Sequence, residues 1–198
     1  MYIQCSVQGK QHKLDFGLIS IIFMIMSRES LIDLVHISKS YGDTMVLDDL
    51  DLSIKENEFV TLLGPSGCGK STLAHCINGL IPFSYRGEMT GSVRIHGKET
   101  RQMGLFEISR TVGTVLQDSD GQFIGLTVAE DIAFALENDC LGEPDLHERV
   151  RKAAGLVDIE SHLLHAPNEL SGGQKQRVAL ARALMRNAPI MVFDDSLS

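Results

Sequence analysis

Apolar positions in the first half of the chain recur at the spacing of β-strands. Residues 31–40 are rich in apolar and β-branched side chains, and residues 46–54 carry a mostly apolar residue at every second position. Because side chains alternate between the two faces of a strand, both segments are predicted to be half-buried strands of an antiparallel sheet. Residues 59–63 form a nearly continuous apolar run instead. We expect this run to be a strand buried on both faces of a parallel sheet.

The remainder of the chain alternates helical and strand patterns. Thr127 and Glu130 form a predicted capping box at one helix start, and Ser171 and Gln174 form another. The patterns predict helices over residues 70–80, 127–138, 146–154 and 171–187, and further strands over residues 92–96, 111–116 and 190–193. Strands and helices that alternate around a glycine-rich loop place the chain in the α/β class.

Composition and charge exclude several classes of protein. Of the 198 residues, 43% are hydrophobic and 22% are charged, which is typical of one globular domain and not of a disordered, collagen-like or coiled-coil chain. The net charge of −8 repels phosphate backbones, so we expect no nucleic-acid partner. The four cysteines form no Cys-x-x-Cys pair and no zinc-finger spacing, so a reducing cytosol is the expected compartment.

The two ends of the chain carry separate signals. Residues 16–26 are apolar, but as a helix they would rise only about 16 Å against a hydrocarbon core of about 30 Å, so we expect no membrane span. No small-x-small cleavage site follows them, which disfavours a signal peptide. We expect residues 1–30 to be an N-terminal extension or a mis-assigned start, with Met26 as the better start. Residues 31–198 are then one domain, incomplete at its C-terminus.

A glycine-rich loop separates the apolar run 59–63 from the helix after it. The loop matches the pattern G-x-x-x-x-G-K-[ST] between a strand and a helix, with Gly64, Pro65, Ser66, Gly67, Cys68, Gly69, Lys70, Ser71 and Thr72. Its glycines let backbone N–H groups curl around phosphate oxygens at a helix N-terminus. Lys70 supplies a point charge to the phosphates and Ser71 a hydroxyl to Mg²⁺, whereas Cys68 occupies a variable position. The loop predicts binding of a nucleoside triphosphate.

A second glycine-rich sequence begins the last predicted helix and consists of Leu170, Ser171, Gly172, Gly173 and Gln174. Its helix N-terminus is a second anion-binding position, although the loop already holds the phosphates of this chain. A second anion site requires a second nucleotide. Asp194 ends the last apolar strand, a position from which its carboxylate can bind Mg²⁺ or a water of its shell.

Together these motifs resemble the ATP-binding subunit of ABC transporters. LSGGQ resembles the signature of that family, and residues 190–194 resemble its Walker B strand. Gln117 lies where the family has its Q-loop glutamine, and Tyr41 lies where it stacks an aromatic ring on adenine. The resemblance covers about residues 31–198 and implies a P-loop NTPase fold with an antiparallel β subdomain and a helical subdomain at about residues 118–169.

The resemblance also implies cofactors and partners. ATP and Mg²⁺ are the implied cofactors, with Ser71, Gln117 and Asp194 around the metal. Two ABC ATPase subunits, alike or different, are implied to dimerise head-to-tail, so that the signature 170–174 of one contacts ATP held by the other. A transmembrane transporter subunit is the implied third partner, which places the chain peripherally at the cytoplasmic face of the cell membrane.

The subfamily signals disagree. Residues 115–123 and 127–138 are similar to the ATPases of energy-coupling-factor importers, which take up vitamins and metal ions, as are residues 78–82. Residues 179–184 and 194–198 are more similar to the exporter branch. We expect a subunit that hydrolyses ATP to power an importer of the energy-coupling-factor type, with an exporter-type domain as an alternative.

Asp195 departs from the pattern of the family, which mostly has a catalytic glutamate there. Aspartate keeps the charge but is shorter by one C–C bond, about 1.5 Å. We assign Asp195 and Gln117 as the catalytic candidates and expect slow hydrolysis. One alternative is a chain that binds ATP without hydrolysing it, and another couples the ATPase to DNA repair or translation. We interpret His162 and His165 as a surface pair and not a metal site.

Overall fold

The computed structural model describes residues 2–7, 10–13, 30–116, 123–137 and 143–194. The chain divides into two compact units, Met1–Ile108 and Ser109–Ser198. The apolar run 16–26, Gln117 and Asp195 lie outside the described residues.

The first unit combines seven described strands with short helices. Its strands are β1 (Tyr2–Val7), β2 (Lys10–Lys13), β3 (Ile32–Tyr41), β4 (Thr44–Ile54), β5 (Phe59–Leu63), β6 (Met89–Ile95) and β7 (Lys98–Glu99). Its helices are α1 (Lys70–Ile77), α2 (Leu80–Phe83) and the first turn of α3 (Leu105–Thr111).

An antiparallel sheet of order β4-β3-β6-β7 confirms the predicted opening strands. The alternation predicted over residues 46–54 is confirmed from Leu50 to Ile54 but is wrong before Leu50, because Leu47 is buried and lies three residues earlier. Bulges shift the register between β3 and β4, and His36 and Asp49 take positive φ angles of 52° and 46°. An inserted residue moves the side chains that follow to the other face of the strand.

β5 differs from the strand that the apolar run predicted. It pairs antiparallel with β1, in a sheet of order β2-β1-β5, and Phe59 and Leu63 are 68% and 47% exposed. The prediction of a parallel strand buried on both faces is therefore wrong. A run of apolar residues indicates that a strand is hydrophobic, but it does not indicate which strand will pair with it. Here the pairing strand is β1, within the first seven residues.

α1 ends one turn earlier than residues 70–80 predicted. The Asn78 side-chain oxygen accepts the Leu80 N–H at 3.1 Å, and Gly79 has a φ of 79°. This turn separates α1 from α2 and leaves Leu73, Ala74, Cys76 and Ile77 as the buried face of α1.

The second unit contains a parallel strand pair and a helical cluster. Its elements are β8 (Val112–Val115), α4 (Val128–Glu137), α5 (Glu143–Leu156), α6 (Gly172–Met185) and β9 (Ile190–Phe193). β8 and β9 are parallel, with Val112 opposite Ile190 and Val115 opposite Phe193. α4, α5 and α6 enclose a core that includes Val128, Ile132, Ala154 and Val178.

Local helix signals in this unit are confirmed. Thr127 Oγ1 accepts the Glu130 N–H at 3.2 Å, and Glu130 Oε2 accepts the Thr127 N–H at 3.3 Å, which is the predicted capping box. Both units combine strands with helices, which agrees with the α/β class that the patterns predicted. No helix among the described residues is long and apolar enough to cross a bilayer.

Candidate functional site

The predicted phosphate loop links β5 to α1 through two left-handed glycines. Gly67 and Gly69 have φ angles of 80° and 96°, a region in which glycine is favoured. A Cβ on Gly69 would lie 2.9 Å from Leu47 Cδ2 and 3.0 Å from the Val46 carbonyl oxygen. Both the backbone angle and the contact with β4 therefore require glycine at the position that begins α1.

Lys70 lies over the loop that precedes it. Its Nζ donates to the carbonyl oxygens of Gly64 and Pro65, each at 3.0 Å, and lies 4.0 Å from Cys68 Sγ. The loop thus places an ammonium group next to the first turn of α1. Ser71 and Thr72 follow on that turn, and both are half-buried.

Tyr41 ends β3 and contacts the same turn of α1. Its hydroxyl forms a hydrogen bond with the Thr72 side chain, and the residue is 36% exposed. Burial raises the pKa of Tyr41, an effect that the bond to Thr72 partly offsets. The structure therefore brings the predicted adenine-stacking ring and the predicted phosphate loop together in one unit.

Lys39 is a neighbour of this site that the sequence patterns did not single out. It is fully buried, its Nζ lies 4.5 Å from the centroid of the Tyr41 ring, and it donates to the Arg86 carbonyl oxygen at 3.1 Å. Burial lowers the pKa of this ammonium group. A cation over the face of an aromatic ring is attracted by its π-electrons, so Lys39 supports the ring of Tyr41.

The two cysteines near the loop differ in their surroundings. Cys68 is half-buried within the loop, whereas Cys76 is buried on α1. Burial raises the pKa of Cys76 to about 11, so its thiol stays protonated at neutral pH.

The signature-like sequence lies in the second unit, at the start of α6. Ser171 is the N-cap residue: its Oγ accepts the Gln174 N–H at 3.4 Å, and its own N–H donates to Gln174 Oε1 at 2.8 Å. Leu170 is only 6% exposed and packs in the helical core, whereas Ser171, Gly172 and Gly173 are exposed. The predicted capping box is confirmed, and the start of α6 is open to solvent.

His162 contacts the last residue of this sequence. Its Nε2 lies 2.9 Å from Gln174 Nε2, and its Nδ1 lies 2.9 Å from Ser161 Oγ. The ring is half-buried, and its centroid lies 5.1 Å from that of His165. The two rings are neighbours, but only His165 is exposed as a surface pair would require. His162 is half-buried and also bonds to the signature, a contact that no sequence pattern indicates.

Asp194 directly follows β9 and is held at the end of the parallel strand pair. Its backbone N–H donates to the Val115 carbonyl oxygen at 2.9 Å, and the residue is half-buried. Asp194 and the signature belong to the second unit, whereas Tyr41 and the phosphate loop belong to the first. The remaining two candidates, Gln117 and Asp195, lie outside the described residues.

A buried carboxylate organises the loop before α4. Asp131 is fully buried; its Oδ1 accepts the N–H groups of Ile124 and Gly125 at 2.9 and 3.4 Å, and its Oδ2 pairs with Arg182 of α6 at 3.4 Å. Beside this loop lies an open surface cavity of about 370 Å³ lined by Phe123, Gly125, Leu126, Ala166, Pro167, Asn168 and Lys175. Exposed apolar side chains, Ile124 and Leu126 among them, occur in the same loop.

Comparison with known proteins gives consistent results. A family model described as ABC transporter matches residues 47–198. A Clostridium perfringens protein named "Putative ABC transporter ATP-binding protein" is 51% identical over 175 residues, which cover 87% of this chain and 31% of that protein. A protein of the same name from Enterococcus faecalis is 53% identical over 152 residues, covering 77% and 27%.

A solved structure is similar as well. The structure of cbiO1 from Clostridium perfringens, described as part of the ABC transporter complex cbiONQ, aligns with a TM-score of 0.69 at 26% identity, covering 84% of this chain and 65% of that one. The chain spans less than a third of the length of the two relatives above.

Proposed function

The chain belongs to the ABC transporter family as an ATP-binding domain, and from this premise we propose that it hydrolyses ATP to power a membrane transporter. The start of α1 is the observation that carries the proposal. α1 begins at a left-handed glycine with no side-chain cap, and the first N–H groups of a helix have no intrahelical partners. Phosphate oxygens are suitable acceptors for such groups. In the nucleotide-free chain, Lys70 Nζ donates to two carbonyl oxygens. When ATP binds, it donates to phosphate oxygens instead.

Tyr41 orients the base in this proposal. Its partly exposed ring stacks on adenine, while the Lys39 ammonium and the bond to Thr72 restrict the movement of the ring. A ring that is held in place loses less conformational entropy when a ligand stacks on it. The ring that binds adenine and the loop that binds the triphosphate are therefore already connected, because Tyr41 bonds to Thr72 on the first turn of α1.

The donor set of the proposed site suits Mg²⁺. The Ser71 hydroxyl, the Asp194 carboxylate and the Gln117 amide oxygen are hard oxygen ligands of the kind that Mg²⁺ takes beside phosphate groups. Asp194 follows β9 directly, and its bond to Val115 fixes the backbone that carries the carboxylate. When bound, the ion neutralises charge on the phosphate oxygens. Asp195 and Gln117 are the proposed general base and water-positioning residue, respectively.

A second subunit completes the proposed site. In the head-to-tail arrangement, the exposed Ser171, Gly172 and Gly173 of each chain contact ATP held by the other. The capping box and the buried Leu170 fix the start of α6 before any nucleotide arrives. An N-terminus that is rigid and open to solvent suits binding of a phosphate group carried by a partner.

The transmembrane partner is proposed to dock on the helical part of the second unit. The loop before α4 exposes Ile124 and Leu126 beside an open cavity, and exposed apolar clusters of this kind are typical of protein interfaces. The similarity to cbiO1, part of the cbiONQ complex, supports an importer of the energy-coupling-factor type. The chain then works as a peripheral protein at the cytoplasmic face of the membrane.

Binding-only activity is the second candidate, and Asp195 favours it. The carboxylate at this position is shorter than the glutamate that the resemblance implies, and general-base catalysis tolerates little misplacement. Such a chain would close on ATP and open again without turnover.

One set of measurements tests the proposal. Titration of the 198-residue chain with fluorescent MgATP should give saturable binding, and Lys70→Ala should weaken it at least about tenfold, because a charge-assisted contact is lost. Lys55→Ala removes an exposed lysine that precedes β5 and should bind as the wild type does. Equal affinities for Lys70→Ala and the wild type would contradict the assignment of the phosphate loop.

Phosphate release separates the two candidates. If Asp195 is the base, the wild type hydrolyses ATP slowly, Asp195→Glu is faster, and Asp195→Ala is inactive although it binds MgATP normally. Turnover by Asp195→Ala equal to that of the wild type would exclude Asp195 as the base. MgATP binding without any turnover in the wild type would support the binding-only candidate.

A further inference from the structure

The contact between His162 and Gln174 fixes the protonation state of the histidine. Gln174 Oε1 accepts the Ser171 backbone N–H at 2.8 Å, and because an N–H can bond only to an acceptor, the amide of Gln174 has one possible orientation. Its Nε2 therefore faces His162 Nε2 as a donor at 2.9 Å. His162 Nε2 must be the acceptor, and a ring nitrogen that accepts carries no proton.

The other side of the ring agrees with this assignment. With Nε2 unprotonated, the neutral ring carries its proton on Nδ1, which donates to Ser161 Oγ at 2.9 Å. A continuous series of hydrogen bonds then runs from Ser161 through His162 and the Gln174 side chain to the Ser171 N–H.

Protonation of His162 is incompatible with these bonds. A proton on Nε2 would place two donors opposite each other at 2.9 Å. If the Gln174 amide rotates to offer its oxygen to the histidine, its NH₂ group faces the Ser171 N–H instead, and one half of the capping box is lost. Either the contact with His162 or the cap on Ser171 breaks, because one amide oxygen cannot serve both donors in this geometry.

We propose that neutral His162 is a positioning residue for the signature, and that its protonation loosens the start of α6 and weakens the closure of the ATP dimer. The inference rests on the proposed function, since it assigns to Ser171, Gly172 and Gly173 the phosphate of a partner. His162 contacts no nucleotide itself; it acts through Gln174.

Charged and titratable groups occur on the elements next to this ring. His165 lies beside it, and Glu160 belongs to the same 3₁₀ turn (Glu160–His162). Further charged groups belong to the neighbouring helices. Glu130 of α4 accepts the N–H groups of Leu126 and Thr127, and α6 carries Lys175 and Arg177, of which Arg177 pairs with Asp158 at 3.3 Å. Of the two histidines, His162 is the one whose ring contacts Gln174 of the signature.

The test compares ATP-driven dimerisation of four chains between pH 8 and pH 5.5, using a non-hydrolysable ATP analogue with Mg²⁺ and light scattering. At pH 8, His162→Phe should dimerise about fivefold more weakly than the wild type, which corresponds to the loss of one hydrogen bond. As the pH falls, the difference between the wild type and His162→Phe should narrow. His162→Gln offers an acceptor that does not titrate and should lose less of its dimerisation on acidification than the wild type does.

His165→Phe is the matched control. It changes the neighbouring ring without touching the signature and should keep the pH profile of the wild type. The terminal phosphate of the nucleotide also titrates in this range, so the quantity of interest is the ratio of each variant to His162→Phe at the same pH. Equal dimerisation and equal pH profiles for the wild type and His162→Phe would overturn the proposal.

A second measurement does not depend on dimerisation. In ¹⁵N NMR spectra of the nucleotide-free chain at pH 8, His162 should carry its proton on Nδ1, and the Ser171 amide shift should follow the titration of His162. A proton on Nε2, or a Ser171 amide unaffected by that titration, would overturn the inference. Failure of the wild type to bind or dimerise with ATP contradicts the proposed function instead, and the NMR result then decides the inference by itself.

Discussion

The chain contains two glycine-rich helix starts, and they are built differently. α1 begins at Gly69, a left-handed residue with no side-chain cap, and Lys70 follows with its ammonium on two loop carbonyl oxygens. α6 begins after Ser171, whose capping box with Gln174 is complete. One helix start lacks a side-chain cap, whereas the other is capped by Ser171, and neither has an acidic residue in its first turn.

This difference fits the two kinds of anion binding proposed above. A helix start without a side-chain cap keeps its N–H groups available, and it gains most from a phosphate that it holds for itself. A start that is already capped is rigid without a ligand, and it is suited to contact a phosphate that another molecule presents. The first arrangement favours binding within one chain, and the second favours binding between two chains.

Substitution of Ser171 by Arg should give the largest effect. The side chain fills the proposed anion position and places a positive charge at the positive end of α6. We expect ATP-dependent dimerisation to be abolished in light scattering, while the affinity of the monomer for MgATP stays within about twofold of the wild type.

Glu160→Arg is the control for charge and size, because Glu160 is exposed and lies outside the signature. A Ser171→Arg chain that dimerises normally would contradict the assignment of the start of α6 to a nucleotide held by a partner chain.

The two leucines that directly precede the glycine-rich sequences, Leu63 before the phosphate loop and Leu170 before Ser171, should differ in their contribution to stability. Leu170 is 6% exposed and packs in the helical core, whereas Leu63 is 47% exposed. Leu170→Ala should lower the free energy of unfolding by about 2–4 kcal/mol, because it leaves a cavity in that core. Leu63→Ala should lower it by about 1 kcal/mol or less.

Urea denaturation followed by circular dichroism measures both values. Equal losses for the two variants would contradict the difference in anchoring between the two glycine-rich sequences.

The glycines at the two starts should respond differently to alanine. In Gly69→Ala, the alanine would have to adopt a φ of 96°, and its Cβ would lie 2.9 Å from the Leu47 side chain. We therefore expect MgATP affinity in fluorescence titration to fall at least about tenfold. The space around Gly173 is open to an added methyl group. Gly173→Ala should therefore raise the free energy of unfolding by up to about 1 kcal/mol, because alanine has the higher helix propensity.

Gly104→Ala, with open space around the new methyl group, is the control in the first unit. MgATP affinity of Gly69→Ala equal to that of Gly104→Ala would mean that the left-handed start of α1 is not needed for binding.

Local signals in the sequence predicted these two starts well. The capping boxes at Thr127 and Ser171 involve residues three apart, and the glycines of the phosphate loop act through their own backbone angles. Interactions of this range depend on neighbouring residues alone. The strand pair β8 and β9 also formed over the apolar segments that predicted it.

Contacts between distant residues were not predictable in the same way. The partner of β5 is β1, more than fifty residues earlier, and the bulges that reset β4 arise in its pairing with β3. Lys39 meets the Arg86 carbonyl group, 47 residues away, and His162 meets Gln174, 12 residues away. The spacing of apolar residues along the sequence carries no information about pairs this far apart. The roles of Gln117 and Asp195 stay predictions.

The buried Asp131 has a mechanical consequence. One carboxylate holds the loop before α4 through two backbone N–H groups and holds α6 through Arg182. Because a fully buried carboxylate is costly to leave unpaired, the loop cannot separate from α6 without a large energetic penalty. A displacement of this loop therefore requires either that α6 moves with it or that the ion pair with Arg182 breaks.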